Sequence, residues 1–183
     1  MASGEASISE IIRCTNFAAI KHKNQRRKDP ESTPYINHPI GVAYILTNEG
    51  KITDLSVIQA ALLHDTVEDT ETTLDEIKEE FGDEVAGLVD EVSDDKSLSK
   101  IERKNLQIKN APHKSLKAKL VKLADKLYNL RDLKRATPEG WSEERVQEYF
   151  VFAFKVVAGL RGINDAMEKE LDKLFKEKGL SDS

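Results

Sequence analysis

With 183 residues, 39% of them hydrophobic and 33% charged, the chain has the length for one domain with a substantial core. A formal net charge of -5 argues against general nucleic-acid binding, which needs a basic surface, but leaves room for an anionic small molecule held by a local basic patch. No apolar run approaches the ~20 residues of a membrane span. Met1–Glu5 lacks the basic-then-apolar pattern of a signal peptide, and the one cysteine, Cys14, cannot close an internal disulfide, so a cytoplasmic protein is expected.

Helical periodicity dominates the chain. Ile8, Ile11, Ile12, Phe17, Ala18 and Ile20 recur at helical spacing and predict a helix from Ile8 to Gln25, with Cys14 as one of its core residues. Gln25-Arg26-Arg27-Lys28 closes that helix, either complementing the negative end of its dipole or gripping an anion. A loop over 29–37 follows. Pro39, after Asn37-His38, suits the first turn of a helix through Leu46. Asp54 is placed to cap the next helix. Thr73 with Glu76 reads as a capping box for a helix that ends near Gly82. A helix over Asp83–Val92, a loop over 94–100 and a long amphipathic helix over Leu116–Arg135 come next. A loop over 136–141 and helices over Ser142–Leu160 and Asn164–Lys178 complete the chain, and a frayed tail is expected over 179–183. With no β alternation and no repeat, the fold class is all-α, one domain over 1–183 with a core over about 8–160.

The segment Ala60-Ala61-Leu62-Leu63-His64-Asp65-Thr66-Val67-Glu68-Asp69 carries the chemistry. On one continuous helix His64, Asp65, Glu68 and Asp69 would share an arc of roughly 140°, opposite Ala60, Leu63 and Val67. Unpaired buried charge is costly, so such a cluster must be paired or hold a cation. The other histidines are His22, His38 and His113. His38, between Asn37 and Pro39, is either a turn residue or a second imidazole ligand; His22 and His113 sit in polar surroundings and read as solvated. Asp125 borders the apolar face of its helix, with Asn129 one turn on. Two imidazoles and two carboxylates suit Mn, Fe or Zn better than Ca. Glu68 and Asp69 would then be free to position a water and move its proton. Arg131 falls within the apolar face and needs either a carboxylate or a phosphate. Lys96, Lys100, Arg103 and Lys104 form a second basic cluster: a solvated face, or the far wall of an anion site.

These residues resemble a known family. His38, the His64-Asp65 doublet and Asp125 are arranged as in the HD superfamily of metal-dependent phosphohydrolases. Arg27-Lys28, Pro34-Tyr35-Ile36-Asn37-His38-Pro39, the segment Ala61–Asp69 and Lys122-Leu123-Ala124-Asp125-Lys126-Leu127-Tyr128-Asn129-Leu130-Arg131 resemble the hydrolase domain of RelA/SpoT enzymes. Thr137-Pro138-Glu139-Gly140-Trp141-Ser142 is similar to the stand-alone metazoan SpoT homologues. The chain is too short for the synthetase and regulatory domains of the long bacterial enzymes. The resemblance implies an all-α HD fold with one Mn2+ held by His38, His64, Asp65 and Asp125. It also implies Glu68 and Asp69 as the catalytic acidic pair. The implied reaction removes the 3′-pyrophosphate of guanosine tetraphosphate (ppGpp), with the 2′-phosphate of NADPH as a second substrate. Arg27, Lys28 and Asn129 match nucleotide-contacting positions, and Arg145 and Tyr149 are further carry-overs; Lys100, from the second basic cluster, joins them as a substrate contact. A non-catalytic helical module stabilised by metal is the competing expectation.

Overall fold

The computed structural model describes residues 2–180, with side chains from Ser7 onward, and its regular elements there are helices; the one extended pairing is an isolated antiparallel bridge between Arg26 and Pro34. The all-α expectation holds. At the centre lies α3 (Leu55–Leu63), in which every residue from Ser56 to Leu63 is buried. A helix apolar but for Ser56 and Gln59 must be surrounded, and α3 packs on α1 (Ala2–Lys21), α2 (Asn37–Tyr44), α6 (Asp83–Val92) and α8 (Leu116–Arg135). Its start is fixed by Asp54, whose carboxylate accepts from Ser56 N at 3.0 Å.

α2 lies close against α8 because Gly41 has no side chain: a Cβ there would stand 1.9 Å from Cε2 of Tyr128. That approach brings His38, in the first turn of α2, beside Asp125 on α8. Beyond α2 the chain continues through a π-helical turn, Ile45–Glu49. Helix α5 (Leu74–Phe81) packs on α6, and α10 (Asp165–Glu177) packs on α8. Helices α7 (Lys100–Asn110) and α9 (Glu143–Ala158) pair with each other. No helix among the described residues is long and apolar enough to cross a membrane.

Several local expectations are corrected. α1 ends at Lys21, so Gln25–Lys28 lies in a loop beyond the helix and not on its last turn. That loop doubles back, with Arg27 N on Thr33 O at 2.8 Å and Tyr35 N on Gln25 O at 3.1 Å. Between the loop over 94–100 and Leu116, where the sequence predicts no helix, the chain forms α7. Thr73 accepts from Glu76 N, but the Glu76 carboxylate turns to Lys21 at 2.6 Å, so that box is half-formed. The complete capping box is Ser99–Glu102, opening α7. Gly179 and Leu180 are not frayed: with Gly179 at φ +72°, Leu180 N bonds back to Phe175 O at 2.9 Å and closes α10. Residues 181–183 of the expected frayed tail lie outside the described residues.

Candidate active site

The apolar run that makes α3 central stops at its C-terminal end, and there the polar residues begin. Two of the helix's last carbonyls are taken by side chains: Thr66 Oγ1 donates to Leu63 O at 2.7 Å, and His64 Nδ1 lies 2.7 Å from Ala61 O. Asp65 adopts φ -100°, ψ -3°, which breaks the helix before the short α4 (Thr66–Asp69). His64, Asp65, Glu68 and Asp69 therefore do not share one continuous helical arc; they flank a break. Because a carbonyl can only accept, His64 Nδ1 carries a proton, so in the neutral ring Nε2 is the nitrogen left with a lone pair facing inward.

His64 Nε2 lies 3.2 Å from His38 Nε2 and 3.1 Å from Asp65 Oδ2. Asp125 Oδ1 reaches His38 Nε2 at 3.2 Å and His64 Nε2 at 3.7 Å, and Asp65 Oδ2 is 3.4 Å from His38 Nε2. His38, His64 and Asp65 bring ligand atoms within 4.8 Å of one another. Donors about 2.1 Å from one ion stand roughly 3.0–3.4 Å apart, so this spacing fits a shared cation. The electrostatics make the same demand. Burial opposes charge on His64, but Asp65 and Asp125 outweigh it and raise its pKa to about 10. Burial prevails at His38, which is lowered. Burial also disfavours charge on Asp65 and Asp125, yet both stay below the usual carboxylate range: His64 and His38 hold Asp65, while Lys126 and the imidazoles hold Asp125. One imidazolium thus supplies positive charge where a metal would.

A second layer fixes the cluster. Tyr35 donates its hydroxyl to Asp65 Oδ2 at 2.6 Å. Asn129 Nδ2 donates to Asp125 Oδ1 at 2.7 Å, and Arg27 Nη2 donates to Asn129 Oδ1 at 3.0 Å and to Asp132 Oδ2 at 2.8 Å. Arg27 is therefore tied to Asp125 through one side chain, a link that spacing does not reveal. The acidic pair faces cations. Lys96 Nζ reaches Asp69 Oδ1 at 2.6 Å, and Arg103 Nη1 stands 3.6 Å from Glu68 Oε1. Glu68 also accepts from Asp94 N at 3.2 Å. Burial, with Asp65 and Asp94 nearby, raises its pKa.

A cleft of about 390 Å³ opens beside this centre, lined in part by Gln25, Arg27, Lys28, Asp69, Asn129 and Tyr149. A second cleft of about 400 Å³ shares Lys28, Trp141 and Tyr149 with it and adds Lys100, Lys104 and Arg145. Arg145 lies over the Trp141 ring at 4.3 Å. Lys104 is pushed down in pKa by burial and by the nearby cations Lys100, Arg145 and Lys126, against Glu148. The second basic cluster of the sequence is thus divided: Lys96 and Arg103 serve the acidic pair, and Lys100 and Lys104 face the cleft.

Two other expectations resolve. Arg131 forms a salt bridge, bidentate to Glu49 at 2.6 and 2.9 Å and 3.3 Å from Glu170, away from both clefts. His113 is exposed, as read, but His22 is not: it is 2% exposed, with Nδ1 2.7 Å from Gln25 Oε1. The residues beside His22 are charged, which hides its burial; the signal that reveals it is helical spacing, four and eight residues after the buried Ala18 and Cys14.

Residues 14–163 match the HD-domain family. Guanosine-3′,5′-bis(diphosphate) 3′-pyrophosphohydrolase MESH1 of Xenopus tropicalis is 67% identical over 171 residues, covering 93% of this chain and 96% of that protein. The human protein of the same name is 65% identical over 173 residues, covering 94% and 97%. A solved structure described as a metazoan ortholog of SpoT that hydrolyzes ppGpp superposes with a TM-score of 0.92 at 55% identity, covering 94% of this chain and 97% of that one. The chain belongs to the HD-domain family and, within it, to the group of the metazoan SpoT homologues.

Proposed function

We propose that this chain hydrolyses the 3′-pyrophosphate of guanosine 3′,5′-bis(diphosphate), taking up one water and releasing GDP and pyrophosphate. The observation that carries the reading is a four-donor cluster demanding positive charge, set beside a cleft whose cations demand negative charge. His38, His64, Asp65 and Asp125 would hold Mn2+, a choice supported by the mixed imidazole and carboxylate donors. When bound, such an ion supplies Lewis acidity toward a phosphoryl oxygen and makes water more acidic. The side chains do the rest. Lys28, Lys100, Lys104 and Arg145 bind the anionic groups, and Trp141 and Tyr149 offer faces to a base. Glu68, its pKa raised by burial and by Asp65 and Asp94, is suited to take up and return a proton. Asp69, paired with Lys96, orients the water. Arg27 acts through Asn129 to keep Asp125 in place.

A second substrate, the 2′-phosphate of NADPH, is favoured by the same cleft: cations and ring faces accept any flat base with anionic groups. The deciding experiment is turnover of ppGpp by metal-stripped protein before and after reloading with Mn2+, with NADPH as competitor. Restored release of pyrophosphate, competitively inhibited by NADPH, is expected. Full turnover without metal would remove the reading, and noncompetitive inhibition would remove the shared site. The competing expectation, a metal-stabilised but inactive module, predicts a metal-dependent rise in melting temperature with no turnover.

A further inference from the structure

Asp69 is held by two unlike partners. Lys96, on Oδ1, has a side chain 49% exposed; it neutralises charge, but a solvated lysine fixes geometry poorly. Oδ2 instead accepts from Gln25 Nε2 at 2.9 Å. Gln25 is anchored along its length. Its N–H donates to His22 O at 2.9 Å, its carbonyl accepts from Tyr35 N at 3.1 Å, and its Oε1 lies 2.7 Å from His22 Nδ1. The polarity of this chain is determined. A carboxylate only accepts, so the Gln25 amide must turn its NH2 toward Asp69. Its oxygen then faces the ring, and His22 Nδ1 must carry the proton.

His22 is itself held. It is buried against the Tyr35 ring, with centroids 4.9 Å apart, and its backbone N–H donates to Ala18 O at 3.0 Å. Its Nε2 is buried without a protein partner. An apolar ring of the same shape would avoid that unpaired nitrogen. A donor at Nδ1 explains why an imidazole stands there.

We propose that His22 and Gln25 are positioning residues: His22 fixes the amide orientation of Gln25, and Gln25 fixes the carboxylate of Asp69 toward the reacting centre. This rests on the reading of Asp69 as one of the catalytic acidic pair. The test is steady-state kinetics of Gln25→Leu, His22→Phe and His22→Asn, each alone and with Asp69→Asn, beside their melting temperatures. Gln25→Leu and His22→Phe should lower kcat by roughly 10-fold, the scale of a small misplacement, with KM little changed. His22→Asn, which can offer an N–H near the Nδ1 position, should recover most of that loss. With Asp69→Asn present, Gln25→Leu should cost nothing more. Equal losses in both backgrounds, or a loss confined to KM, would overturn the relay. Parent-like Gln25→Leu beside a slow Asp69→Asn would overturn the relay alone; parent-like Asp69→Asn would overturn the reading of Asp69 as well.

Discussion

The candidate metal cluster and the basic cleft are neighbours of opposite construction. The cluster rests on the buried ends and faces of α2, α3 and α8, and its donor atoms come from side chains shielded from water. The cleft is walled by a loop, by α7, none of whose residues is buried, and by one face of α9. Their electrical demands are also opposed: carboxylates hold a buried imidazole charged on one side, and burial with crowded cations depresses a lysine on the other. A rigid, enclosed region tunes by exact placement, whereas an open, cationic one tunes by summed charge. Substitutions should therefore fail abruptly in the first and gradually in the second.

The sharpest break is His64→Ala or Asp65→Ala. Either should abolish both stoichiometric metal binding and turnover, since the remaining buried charges lose their compensation. Metal analysis beside activity checks this, and a variant that keeps full turnover after losing its metal would dissolve the contrast. Next come Lys100→Ala and Arg145→Ala. Each should raise KM for the nucleotide by about 10-fold, leave kcat near the parent, and weaken as salt is added. A fall in kcat alone would move that residue from the cleft wall to the reacting phosphorus.

The smallest expected effect concerns pH. In metal-free protein His64 has its pKa raised from 6.5 to about 10. A raised folded-state value stabilises fully below the unfolded pKa and is lost as pH climbs through the folded one. The melting temperature of metal-free protein should then fall between about pH 6.5 and 10, relative to a His64→Gln control. Metal-loaded protein should lack that decline, because its imidazole ligands are already neutral. Parallel curves for the two forms would mean that His64 does not carry the charge.

What the sequence revealed follows the same division. Helix identity was readable wherever an apolar stripe existed, as in α5, α8 and α10. It failed for α7, whose few apolar residues, Ile101, Leu106 and Ile108, include none that is buried; Ser99 and Glu102 mark its start. The adjacency of His64 and Asp65 in a buried run pointed to a polar centre, but periodicity cannot register a backbone change at one residue. The break at Asp65 was therefore invisible. His22 reads as solvated from its charged neighbours, yet it continues the buried Cys14–Ala18 row by one more helical turn. Arg131 had two possible partners in sequence and takes carboxylates, because Glu49 and Glu170 approach it from separate segments.

α3 has a further consequence, which concerns length. It begins at a cap, Asp54, and is gripped on every side until it delivers His64 to the centre. One residue added or removed between them would turn the histidine by about 100° and shift it about 1.5 Å along the axis. Neither end can slip to absorb the change: the start is pinned, and the sides are packed. The spacing from Asp54 to His64 is thus a ruler, and an Ala inserted after Ala60 should silence the protein although no functional side chain has been altered.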